Sequence, residues 1–263
     1  MKYSFLIKKT IALLIIILYF SSCASKKDIV YYQNIESLPA QGKQNSYEIK
    51  IQPDDLLMIV VSAEDPETAI PFNLSTVSIA SSTGLANGQL MMQTYLVDAN
   101  GTIDFPVLGK VKLSGLNRSE VQQLFQDKIG KYIKNPIINL RIMNFKVSLQ
   151  GEVNAPGTFT ISSERITLIE ALTLAKDLTI YGKRNNILII RERDGVKSYN
   201  RVDITKADFI NSPFYYLSQN DVVYVEPNIS RVNASTVGPN TGVIISISSL
   251  LITLVTVIYT ITK

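Results

Sequence analysis

From Val243 to Thr262 the chain runs for twenty residues without a charge, a pattern that few water-soluble domains accommodate. As an α-helix, at about 1.5 Å per residue, this stretch would cover roughly 30 Å, the thickness of a bilayer's hydrocarbon core. Seven of the twenty residues are nevertheless Ser or Thr. Ser246, Ser249, Thr253, Thr256 and Thr260 are spaced 3, 4, 3, 4, which places them on one helical face opposite Ile, Leu and Val. Three readings compete. The helix is a lone lipid-facing anchor whose hydroxyls bond to its own backbone. Alternatively it packs against copies of itself through small polar residues. In the third reading several copies close a ring, and the stripe lines a helical barrel or its seams. A buried strand is opposed by twenty positions without a turn signal.

The other end is apolar as well. Residues 1–22 contain Lys2, Lys8 and Lys9, no acid, and the apolar run Ile11 to Phe20, which together read as a secretory signal. The run stops at Ser21-Ser22-Cys23, and Cys23 is the only cysteine of the 263 residues. Phe20-Ser21-Ser22-Cys23-Ala24 resembles a bacterial lipoprotein lipobox, with Phe20 where Leu is commoner. The resemblance implies cleavage before Cys23 and acylation of its thiol and new amino terminus, an anchor of near-irreversible strength. Removing the three lysines lowers the formal charge from +4 to +1, which excludes a basic protein seeking nucleic acid.

What is missing narrows the chemistry further. The chain has no His, so it holds no Ser-His-Asp or Cys-His nucleophile system and no imidazole metal site. One cysteine allows neither an intrachain disulfide nor a thiolate cluster, and no cofactor is expected beyond the lipid on Cys23. Carboxylate chemistry survives, with Glu64, Asp65, Glu67 and the pair Asp54-Asp55 as its only clusters of interest. A solvated loop and ordinary turn chemistry account for both groups.

The body reads as α+β, two small mixed sheet-and-helix domains followed by a C-terminal transmembrane helix. Residues 23–50 are polar and irregular, a tether from the lipid to the first domain. The first domain, 51–144, opens with a strand at Leu56 to Ser62, then a long loop or weak strand excursion over 66–90. Gln93 to Val97, the turn Asn100-Gly101 and Thr102 to Phe105 read as a hairpin. A helix capped by Asn117 with Glu120 carries the stripe Val121, Leu124, Phe125, Ile129, Tyr132 and Ile133, and Ile137 to Met143 is a strand. The second domain, 145–227, has strands at Lys146 to Glu152, Thr158 to Ile161, Ile187 to Arg193, Val196 to Asp203 and Asp221 to Val225. Its short helix is capped by Thr167 with Glu170 and buries Leu168, Ala171, Leu172 and Ala175. Arg191 and Arg193 share one strand face, read as solvated. Residues 228–241 form a linker to the membrane helix at 242–263.

Several phrases, taken in order, resemble the outer-membrane polysaccharide export proteins of the Wza type. The export domain is matched by Ile51-Gln-Pro-Asp-Asp-Leu-Leu-Met-Ile59, Tyr95-Leu-Val-Asp-Ala-Asn-Gly-Thr-Ile-Asp-Phe-Pro-Val-Leu-Gly109 and Tyr132-Ile-Lys-Asn-Pro136. A soluble-ligand-binding β-grasp module is matched by Val147 to Phe159, Thr167 to Leu172 and Leu217-Ser-Gln-Asn-Asp-Val-Val-Tyr-Val225. The chain departs from the family in three ways. Asp54 stands where Gly usually precedes the turn aspartate, implying a turn of another type. Ala175-Lys176-Asp177 replaces a common Ala-Gly-Gly, and there is one β-grasp module rather than several.

The resemblance implies a homo-oligomeric ring that passes capsular or extracellular polysaccharide through the outer membrane without catalysis. Its body would lie in the periplasm, facing an inner-membrane polysaccharide copolymerase or chain-length regulator. Two alternatives stand beside it. One is a membrane-tethered adaptor lipoprotein that forms no pore. The other is a carboxylate-dependent carbohydrate-active lipoprotein, which must do without the sugar-stacking residue Trp, absent here.

Overall fold

The computed structural model describes residues 26–38, 48–78, 89–193, 195–236 and 241–261. Its apolar residues gather into two cores, one built from residues 51–140 and the other from 145–225, with Ile142 packed against both.

The first core is organised by β1 (Leu56–Ser62), whose alternate residues Leu57, Ile59 and Val61 are buried. That alternation is what a half-buried strand requires. The stretch 66–90 holds more order than its composition suggests. Asp65 caps a short helix, α1 (Pro66–Ala69), a 3-10 turn follows, and β2 (Ser75–Ser78) pairs with β3 (Gln89–Met92). The expected hairpin across Asn100-Gly101 needs correction. β4 (Thr94–Leu96) pairs with β1, and β5 (Thr102–Phe105) pairs with β6 (Gly109–Lys112). The turn itself forms, closed by Gly101 N–H to Asp98 O and by the Asp98 carboxylate on Thr102. The strands part there because Val97 exchanges two backbone hydrogen bonds with Asp54 and Asp55 at the start of β1. Period-two alternation marks Tyr95, Val97, Ile103 and Phe105 as inward, but it carries no information about the partner.

Helix α2 (Arg118–Ile129) forms as its capping box dictates. Asn117 Oδ1 accepts the Glu120 N–H and Glu120 Oε2 accepts the Asn117 N–H. Val121, Phe125 and Ile129 are fully buried, and the Phe125 ring meets Phe105 edge-on at 4.8 Å. The helix ends at Ile129, so of the last two stripe residues Ile133 is still buried in the core while Tyr132 is 61% exposed. β7 (Ile137–Ile142) then pairs antiparallel with β1, completing the order β4-β1-β7.

The second core lies under a five-stranded sheet of order β12-β11-β14-β8-β9. Its members are β8 (Lys146–Gly151), β9 (Gly157–Thr160), β11 (Gly182–Arg193), β12 (Val196–Val202) and β14 (Val222–Pro227). The two-residue strands β10 (Ile166–Thr167) and β13 (Tyr216–Leu217) pair beside it. Helix α3 (Leu168–Leu174) starts from the capping box of Thr167 and Glu170 and buries Leu168, Ala171 and Leu172. All pairs in the large sheet are antiparallel except β8 with β14. Gly151 ends β8 at φ +87°, and a Cβ there would meet Val225 O at 2.1 Å, so this pairing requires glycine.

Arg191 corrects the solvated reading of its strand face. It is buried under Phe214, its Nη2 lies 2.6 Å from Asp221 Oδ2, and its Nε donates to both carboxylate oxygens. Burial raises the Asp221 carboxyl above the ordinary carboxylate range, opposed by Arg191 and by the Ser218 N–H. Two connecting segments are also more ordered than their composition implies. The 23–50 tether is docked on the second unit between 26 and 38, and the 228–241 linker contains helix α4 (Ile229–Thr236), capped by Asn228.

Replacing Arg191 with Met leaves the Asp221 carboxylate buried without its counter-charge, which should cost about 3–5 kcal/mol in urea unfolding. Adding Asp221→Leu to that variant should recover part of the loss.

Candidate functional site

The residues singled out in the sequence lie at the two chain ends. Cys23 and the 1–22 signal fall outside the described residues. The stripe lies on the last helix, α5 (Thr241–Ile261), which forms where the uncharged stretch predicts it. Each stripe hydroxyl donates to a carbonyl of its own helix. Ser246 bonds Gly242 O, Ser249 bonds Ser246 O and Thr253 bonds Ser249 O, each at 2.8 Å. Thr256 and Thr260 bond carbonyls three and four residues back. This is the local pairing open to Ser and Thr in an apolar helix. The expectation of a transmembrane helix is met only as far as the helix itself. Among the described residues no helix is long and apolar enough to cross a membrane.

The N-terminal strap, residues 26–38, is held on the second unit by paired backbone and side-chain bonds. Tyr32 N–H and Gln33 N–H donate to the carbonyls of Ile204 and Thr205. Asn34 Oδ1 accepts the Ala207 N–H at 2.6 Å, and Asn34 Nδ2 donates to Asp208 at 2.9 Å. Tyr32 stacks on Phe209, and Tyr31 donates its hydroxyl to Asp177 at 2.6 Å beneath the Arg184 guanidinium. Burial and the Asp177 carboxylate push the Tyr31 hydroxyl's pKa upward. The aromatic pair Tyr31-Tyr32 inside a polar stretch was the one sequence signal that this segment packs.

At the C-terminal side, Asn228 N–H donates to Tyr181 O, and Arg231 lies over the Tyr181 ring while pairing with Glu152 at 3.0 Å. Strap and exit helix therefore both leave the second unit.

Two of the family-like stretches, 51–59 and 217–225, meet at the junction of the two units through Asn144. Asn144 Oδ1 accepts the Leu56 N–H, and its Nδ2 donates to Asp54 O. Gln219 donates to Asn144 O and accepts the Lys146 N–H. Asp54 holds φ +70°, the left-handed backbone that glycine adopts most readily. Lys176 and Asp177 do the same at +58° and +64°, closing α3 with Asp177 N–H on Leu172 O and Lys176 N–H on Thr173 O. Next to the junction lies a groove of about 920 Å³, with Arg118, Arg141, Arg165 and Glu48 in its lining. Arg118 of α2 bridges to Glu164 of the second unit beside it.

The carboxylates do not converge. Asp65 caps α1, and Asp55 is buried in its turn, its Oδ2 accepting the Gln52 N–H at 2.8 Å. Among the described residues no group of three His, Cys, Asp or Glu could hold a metal ion.

Residues 43–143 match the family described as Polysaccharide biosynthesis/export protein. Over this stretch the chain is similar to polysaccharide export proteins. A relative from Ralstonia nicotianae, named EPS I polysaccharide export outer membrane protein EpsA, is 31% identical over 166 residues, 61% of this chain and 42% of the relative. The protein of the same name from Ralstonia solanacearum is 29% identical over 223 residues, 80% of this chain and 58% of the relative. The chain spans about half the length of these curated relatives. The polysaccharide export match takes in the whole β1 turn, β7 and α2, and it ends one residue before Asn144.

Burial raises the Asp55 carboxyl from 3.8 to about 6. The folded chain thus binds this proton more tightly than the unfolded chain. Stability should fall as pH rises from about 4 to about 6, by at most roughly 3 kcal/mol from this group. Asp55→Asn should flatten that part of the pH dependence of the urea midpoint.

Proposed function

We propose that the chain is a subunit of an oligomeric outer-membrane channel that exports capsular or extracellular polysaccharide as a passive conduit, without catalysis. The observation that carries this reading is the export-family match across the first unit, joined to relatives named as outer-membrane export proteins. The placement of the chain ends supports it. With Cys23 acylated, the strap brings the lipid to the second unit, and α5 leaves from that same unit. The second unit then lies next to the outer membrane. The first unit reaches into the periplasm, toward an inner-membrane copolymerase or chain-length regulator.

In this reading α5 enters the membrane beside copies of itself. The stripe of Ser246, Ser249, Thr253, Thr256 and Thr260 faces the seams or lumen of a helical barrel. A lumen lined with hydroxyls gives a glycan hydrogen-bonding company without a strong binding site, as passage requires. One observation favours a second reading, an adaptor lipoprotein with a lone anchor. Every stripe hydroxyl already has a partner in its own helix, so none of them requires a neighbour.

Detergent-solubilised protein viewed by electron microscopy should show rings. Leu at Ser249, Thr253 and Thr256 should disperse them and stop polysaccharide export. Unchanged rings and unchanged export in the triple variant would overturn the barrel and leave the adaptor. Cys23→Ser should abolish incorporation of labelled palmitate and release the uncleaved precursor from outer-membrane fractions. Full palmitate labelling of that variant would rule out Cys23 as the attachment site.

A further inference from the structure

Four segments of the second unit join into one continuous surface. Thr179 Oγ1 donates to Glu152 at 2.7 Å, and Arg231 of α4 pairs with the same carboxylate. Asn228 N–H bonds Tyr181 O, and the strap's Tyr31 is bonded to Asp177. The end of β8, the loop 176–181, the start of α4 and the strap are therefore held together. Large apolar side chains stand exposed on this surface: Ile180 at 57%, Ile229 at 68% and Val232 at 46%. Ile229 and Val232 are three apart on α4 and so share a face. Tyr181 is 40% exposed beneath the Arg231 guanidinium.

We infer that this surface rests in the headgroup layer of the phospholipid membrane that holds the lipid of Cys23 and the helix α5. The inference depends on the membrane reading above and adds which protein surface meets the lipid. Chain length supports the assignment from both sides. Cys23 lies three residues before Lys26, a span of at most about 11 Å when fully extended. Only residues 237–240 separate α4 from α5, five steps or at most about 18 Å of extended chain. A bilayer that accepts both anchors cannot stand far from the surface between them. The chemistry suits the site. Tyr and Arg side chains put apolar surface toward acyl chains and their polar ends at headgroup level, and isolated Ile and Val fill the shallow apolar zone. The exposed Lys26 and Lys27, three and four residues after Cys23, would then meet lipid phosphates.

The chain contains no Trp, so single-Trp variants report one position each. Full-length chains carrying Ile180→Trp, Tyr181→Trp or Ile229→Trp would be reconstituted into phosphatidylethanolamine–phosphatidylglycerol vesicles. Tyr132→Trp, on an exposed site of the first unit, is the aqueous reference. Flotation with the vesicles first checks the membrane reading, and a chain that does not float overturns both proposals. Among floating chains, lipids with doxyl groups near the headgroup should quench the three second-unit positions severalfold more than position 132. Acrylamide should quench those three positions less than position 132. Acrylamide quenching equal to that at position 132 would put the surface in water and overturn the inference while leaving the anchors intact. Shielding from both quenchers would overturn it too, by showing that another protein copy covers the surface. Because the three substitutions lie on two separate segments, misfolding of one variant does not remove the test.

Discussion

The side chain of Asn144 is the tie on which the arrangement of the two units depends. The chain between β7 and β8 is only three residues long, and a link that short fixes distance but not orientation. Orientation comes from the amide. It satisfies the Leu56 N–H and Asp54 O of the first unit while its own backbone carbonyl takes the Gln219 side chain of the second. Gln219 is itself buried and spends its other end on the Lys146 N–H. A buried amide with every group paired is stabilising and geometrically exacting, because a small displacement leaves several polar groups unpaired at once. With Phe145 in the second core and Ile142 touching both, the junction is also sealed by apolar contact.

This explains why two distant stretches of sequence have the form they do. Gln52-Pro53-Asp54-Asp55 and Ser218-Gln219-Asn220-Asp221 are both turns with a residue at positive φ, Asp54 in one and Asn220 in the other. Each presents one group to Asn144 and sends an aspartate inward. Asp55 closes on the Gln52 N–H, and Asp221 anchors Arg191. The Asp54-Asp55 pair thus serves turn and junction, as Asp221 does in the second stretch.

Local chemistry was legible in the chain, and pairing over distance was not. The two capping boxes, at Asn117 and Thr167, carry their partners three residues away, so helix starts could be read directly. The strand at β1 was legible as an apolar run, but which alternate residues it buries was not, because Leu56 to Val61 are all apolar. The partner of β4 could not be read, because Tyr95 and Phe105 both point into one core and the nearest turn suggested the wrong pairing. Arg191 looked like a surface residue because its carboxylate lies thirty positions later. Of the candidate site, the stripe on α5 was visible as spacing. The docking of the strap left only the trace of two adjacent tyrosines.

The strap has a consequence in time as well as in space. Its bonds join Tyr31 to Asp177, and Asn34 to Ala207 and Asp208, across 146, 173 and 174 residues of sequence. Contacts that remote carry the largest loop-closure cost and cannot form until the later partner exists as folded structure. An anchor added near residue 23 would therefore begin life on a slack leash. Completion of the sheet around β14 would reel the body in, so that the finished unit draws itself up to its own attachment point.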